Sequence, residues 1–159
     1  MPDTQIKRTI IGQLTLGSDL LDSLTEFVQK EEIRLGRIQG IGATTHANVA
    51  YYDQNTKTYN PLEFDGGMEI LSLTGNVSMR DGKPFVHAHI LLGDAQGKVF
   101  GGHLLKGTTL FACEVTIDEL EGDDLIRDRD NRTGLFLWNS GNLLKSQKSY
   151  TDSIDFLIS

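Results

Sequence analysis

The chain is 159 residues long, with 38 % hydrophobic and 23 % charged residues and no Pro-, Ser- or Gln-rich tract, so it fits one globular domain and not a disordered one. Its 15 Lys and Arg against 22 Asp and Glu leave a formal charge of -7, which repels polyphosphate at long range and works against non-specific nucleic-acid binding. Cys113 is the single cysteine, which excludes an intramolecular disulfide and a zinc site built from several cysteines of one chain; with no signal-peptide core and no run of about 18 apolar residues, the expectation is cytoplasmic residence without membrane contact.

In chain order, Ile6 to Leu14 mix β-branched and charged residues in rough alternation, which predicts a strand with one wet face. Gly17-Ser18-Asp19 then precede the stripe Leu20, Leu21, Leu24, Phe27 and Val28, so an amphipathic helix over 18–30 is expected, with Ser18 or Asp19 as its N-cap. Two extended stretches follow, Gly36 to Ala43 and Ala47 to Asp53. The G-x-G inside the first does not open a helix and lacks the spacing of a dinucleotide fingerprint; its glycines read as bulges or points of close backbone approach. Gln54 to Lys57 is a turn, and Tyr59 to Phe64 a short returning strand.

Four further strands are predicted at Glu69 to Arg80, Phe85 to Leu92, Lys98 to Leu105 and Leu110 to Leu120, with polar turns between them. That cadence is an antiparallel meander beside one helix, an α+β domain, and not a β-α-β series. Arg127, Arg129 and Arg132 alternate with Asp124, Asp128 and Asp130, which reads as a solvated, self-neutralising loop. Gly134 to Trp138 forms a last strand, Asn139 to Ser149 a mobile polar stretch, and the alternating Ile154, Phe156 and Ile158 an edge strand in the tail. The domain thus spans 1–138 and the tail 139–159.

Three of the four histidines fall between residues 87 and 103. Strand alternation sends His87 and His89 to one face. A five-residue loop from Gly93 to Gly97 would pair Leu92 with Lys98 and set His87 opposite His103, close enough for two imidazoles to share an ion. A four-residue loop would place His103 on the wrong face unless Gly101-Gly102 supplied a bulge; those glycines would also leave room beside a metal. A lone strand histidine is more often a packing residue than a ligand, but three within one hairpin point to zinc or a similar ion. Three protein ligands leave a position open for water or a small molecule, which suits hydrolase or lyase chemistry if a carboxylate stands nearby. Asp65, Glu69 and Asp94 are candidates for that carboxylate, and His46, on another strand, reads as structural or exposed.

Gly36-Arg37-Ile38-Gln39-Gly40-Ile41-Gly42, Leu73-Thr74-Gly75-Asn76, His87-Ala88-His89-Ile90 and Gly101-Gly102-His103-Leu104 together resemble the PPC domain, the family named for its occurrence in plants and prokaryotes, over about residues 5 to 138. The resemblance implies a curved, mostly antiparallel sheet with a helix against it, assembled as a homotrimer. It also implies that His87, His89 and His103 are the metal ligands. Prokaryotic members are commonly described as DNA-binding, and plant members carry AT-hook segments. This chain has no Arg-Gly-Arg-Pro hook, and its acidic balance offers no evident phosphate-binding face. The expected function is therefore that of a metal-binding protein, with DNA association or trimer-mediated protein interaction as alternatives.

Overall fold

In the computed structural model, which describes residues 4–139, the chain runs β1 (Gln5–Leu14), α1 (Leu20–Lys30), β2 (Gly36–Asp53), β3 (Thr58–Arg80), β4 (Lys83–Gly93), β5 (Val99–Leu104), β6 (Thr109–Glu121), β7 (Arg127–Arg129) and β8 (Phe136–Trp138). The predicted edge strand of the tail and most of the polar stretch before it lie outside the described residues. No helix among those described is long and apolar enough to cross a membrane.

The helix forms where its apolar spacing predicts. Asp19 is the N-cap, its carboxylate accepting from the Asp22 amide at 2.8 Å and from the Gly107 amide at 2.6 Å, so one side chain caps the helix and ties it to the turn before β6. Leu20, Leu24 and Val28 are fully buried and pack into a core with Ile38, Val77, Ile90 and Leu92.

Two pairs of predicted strands are each a single long strand. The stretches 36–43 and 47–53 are joined in β2, and 59–64 and 69–80 in β3, because these two strands pair from Gly36↔Val77 to Asp53↔Thr58. The polar and glycine-rich residues that read as breaks, 44–46 and 65–67, face one another across the ladder, and the register shift at Thr44/His46 absorbs them as a bulge, a second shift falling at Gly40/Gly42. Gly42 also sits so close to β6 that a Cβ there would lie 2.1 Å from the Ala112 carbonyl oxygen.

The six-stranded sheet has the order β1-β6-β2-β3-β4-β5 with every pairing antiparallel. It curls until β5 also meets the far end of β2, through Val49↔Leu104 and Ala50↔His103. Gly101 and Gly102 permit that closure. A Cβ on Gly101 would stand 2.3 Å from the Ile90 carbonyl oxygen and one on Gly102 2.7 Å from that of Ala50, so β5 is wedged between β4 and β2 at a distance only glycine allows. Neither glycine makes a bulge, as the β4–β5 register runs unbroken.

Candidate metal centre

The same alternation that builds the core aims two histidines out of it. Val86, Ala88, Ile90 and Leu92 of β4 are buried, so His87 and His89 project from the opposite face. The hairpin loop has the predicted five residues but runs from Asp94 to Lys98, so Gly93 pairs with Val99 and His89, not His87, lies opposite His103. Asp94 fixes this loop, its carboxylate accepting from the amides of Gln96 and Lys98 at 2.9 Å. A shift of two in the register sum preserves parity, and all three rings still share one face.

Their centroids form a near-equilateral triangle: 5.3 Å for His87–His89, 4.9 Å for His87–His103 and 5.3 Å for His89–His103. One nitrogen from each ring lies within 4.8 Å of the other two. Tetrahedral coordination at 2.0–2.1 Å requires nitrogens about 3.3 Å apart, so modest ring rotation converts this trio into a ligand set. His87 and His103 are half-buried and His89 is exposed, which leaves one side of the triangle open to a cleft of about 610 Å³. The Nδ1 of His103 is buried with no hydrogen-bond partner among the described residues. A nitrogen in that state costs roughly 1–3 kcal/mol, which a coordinated ion or ligand atom would offset.

Burial, with the neighbouring charge of Arg127 and the other imidazoles adding to it, pushes His87 down from its ordinary value near 6.5 to about 4. His103 falls to about 4 as well, again mainly by burial, then through His89 and Arg127. Both rings are therefore neutral at physiological pH, the state in which imidazole offers a lone pair.

Arg127 is the residue that sequence reasoning missed. It belongs to β7, which pairs with β8 in a small second sheet laid beside β3. The expected self-neutralising loop holds for Arg132 and Asp130, whereas Asp124 pairs with Arg34 from outside the run and Arg127 turns inward and is 7 % exposed. Its Nε donates to Ser78 Oγ at 2.8 Å, Nη1 to the Phe136 carbonyl at 3.0 Å, and Nη2 to Asn76 Oδ1 at 2.8 Å and His87 Nδ1 at 3.2 Å. Arginine has no acceptor, so in the metal-free chain His87 Nδ1 supplies the lone pair and its ring proton sits on Nε2; holding an ion through Nε2 would require that proton to move to Nδ1 and the 3.2 Å Arg127 contact to open. The one available signal was indirect: a strand at 134–138 needs a partner, and the residues just before its turn were the nearest choice.

No Asp or Glu lines the cleft among the described residues. Of the three candidate carboxylates, Asp65 accepts from His46 Nδ1 at 2.8 Å, Asp94 holds the β4–β5 loop, and Glu69 is exposed on β3. His46 is accordingly structural. The cleft walls are aromatic, with the Tyr59 ring 4.9 Å from His103 and 4.8 Å from Tyr52, and with Phe85 and Phe136 beyond.

The family model for the Plants and Prokaryotes Conserved (PCC) domain matches residues 1–121. Among solved structures, a metal-containing protein from Archaeoglobus fulgidus is 42 % identical with a TM-score of 0.84, covering 88 % of this chain and 99 % of that one. A plant- and prokaryote-conserved (PPC) protein from Pyrococcus horikoshii is 37 % identical with a TM-score of 0.83, covering 87 % and 96 %. A candidate DNA-binding protein from Bacteroides thetaiotaomicron is 26 % identical with a TM-score of 0.78, covering 87 % and 97 %. The bifunctional protein GlmU of Synechococcus sp. (strain JA-3-3Ab) is 33 % identical over 112 residues, 69 % of this chain, and the chain spans only 17 % of that relative's length.

Proposed function

Since the chain belongs to the Plants and Prokaryotes Conserved domain family, we propose that within this fold His87, His89 and His103 together bind one divalent ion, zinc or a similar late first-row metal, with a coordination position left open toward the cleft. The observation that carries this reading is the convergence of three imidazole nitrogens within 4.8 Å on one antiparallel strand pair, two of the rings held neutral. The metal content named for the Archaeoglobus fulgidus relative supports it. When bound, such an ion supplies Lewis acidity to whatever ligand reaches the open position. The chain's own contribution is orientation: the core side of β4 fixes the two histidine backbones, and the β4–β5 register fixes the third. With no carboxylate in the described lining, polarisation of a bound small molecule suits the cleft better than carboxylate-assisted hydrolysis by an activated water.

The DNA-binding description carried by some relatives finds no support in a net charge of -7 or in an aromatic cleft. We also propose that identical chains assemble as a homotrimer, and the support for this is apolar. Five neighbouring strands leave large side chains exposed, among them Ile11, Phe111, Ile41, Leu71 and Leu91 in sheet order, at 49 % to 77 % of their full area.

Elemental analysis of untagged protein tests the metal reading. About one divalent ion per chain is expected before chelation and again after zinc is restored, and loss in His89→Ala and His103→Ala with unchanged circular dichroism. Removing a ligand should cost more than the roughly 10- to 100-fold in affinity that losing an orienting partner costs. Undiminished zinc in both variants would overturn the assignment.

A further inference from the structure

We infer that the cleft beside the histidines is a receptor for a small organic carboxylate with an apolar body, its charge met by Arg127. A guanidinium stays protonated in any protein environment, and burying a charge without an opposite one is costly. Arg127 is 7 % exposed, yet all its acceptors are neutral: a serine hydroxyl, a carbonyl, an amide oxygen and an imidazole. Four of its five N–H groups are thereby used, and the fifth, on Nη1, has no acceptor among the described residues.

A second cation lines the same cleft. The Arg80 guanidinium lies 3.6 Å over the Phe136 ring, and the carboxylate nearest it, Asp81 at 3.5 Å, is exposed to solvent and is not part of the lining. A chain with 22 acidic against 15 basic residues has thus gathered two arginines and three imidazoles around one concavity that no Asp or Glu lines among the described residues. An adjoining hollow that Arg127 shares with Asp128 and Asp130, and the Phe85 and Trp138 rings 5.7 and 5.4 Å from its guanidinium, compensate the charge only in part, since no carboxylate forms an ion pair with Arg127 among the described residues; on the cleft side the remainder falls to a ligand.

The walls select its class. Tyr52, Tyr59, Phe85 and Phe136 offer aromatic faces to a planar or apolar body, and the single spare Nη1 donor can meet one carboxylate oxygen. The aromatic walls favour an apolar body over the fully polar surface of a phosphate, which would leave those faces uncovered. This reading stands on Arg127 and does not need the ion; were the proposed metal present, it would add a second site for a carboxylate oxygen in the same cleft.

Calorimetric titration of the full chain with benzoate, its neutral isostere benzamide and inorganic phosphate tests this, each with zinc and with excess chelator. Saturable benzoate binding is expected in both conditions, at least about tenfold tighter than benzamide or phosphate, with an accompanying rise in melting temperature. Arg127→Gln should weaken benzoate by about 10- to 100-fold and Arg127→Lys by less. Should Arg127→Gln not fold, the benzoate-to-benzamide ratio on the unaltered chain decides alone. Equal binding of benzoate and benzamide, or phosphate preferred over benzoate, would overturn the proposal. Benzoate binding that vanishes with chelator would do the same while leaving the metal site intact. Binding that persists in a chain unable to hold zinc would uphold it while the metal reading fails.

Discussion

His87 and His103 hold their protons poorly because they are half-buried beside a guanidinium, and that has a consequence for stability. In the unfolded chain both rings titrate near 6.5, in the folded metal-free chain near 4. Between those values the unfolded state binds more protons, so folding stability is fully present above about pH 6.5 and declines as the pH falls toward 4. Urea midpoints of chelated protein across that range should fall with pH, and a double His87→Gln, His103→Gln variant should show a flatter profile. Equal slopes in the two would contradict the assigned pKa directions. At this scale the sequence was informative about type and face, since H-x-H in a strand can only point one way. It was silent about Arg127, whose neighbours Asp124, Asp128 and Asp130 read as its partners and two of whose four acceptors, Asn76 and Ser78, lie about fifty residues earlier on β3.

Among the elements, β5 is the shortest strand of the six-stranded sheet and does the most to hold the site together. It carries His103, pairs with both β4 and β2, and depends on two glycines for the approach. Gly102→Val should cost about 1–3 kcal/mol by overpacking and weaken zinc binding with it, because His103 moves with the strand. Gly12→Ala, on β1 with nothing within 4 Å of the added Cβ, is the matched control and should change neither. Chemical denaturation combined with a zinc competition assay reads both effects. The helix and the later strands were legible from periodicity and turn residues. The strand fusions and the exact β4–β5 pairing were not, because a bulge and a turn look alike in composition, and because loop length leaves the first paired residue undetermined. The register missed by two in its sum, which is why the histidine face survived the error.

For the molecule as a whole, charge and apolar surface point in different directions. The net charge of -7 keeps polyanions away, while five adjacent strands expose large apolar side chains. If those side chains form the proposed trimer interface, Phe111→Glu combined with Leu91→Glu should shift light-scattering mass from three chains to one without loss of secondary structure. A trimer that survives both substitutions would place the interface elsewhere. The family resemblance suggested this assembly; nothing in periodicity or composition did, since exposed leucines in a strand look the same whether they meet water or a second copy.

The most direct measurement of the central claim is an anomalous difference map at the zinc edge, from crystals of untagged protein supplied with zinc. A single strong peak should stand about 2.0–2.1 Å from one nitrogen each of His87, His89 and His103, with its remaining coordination directed into the aromatic cleft. A map without density between those rings, or with the ion bound only at other residues, would contradict the account.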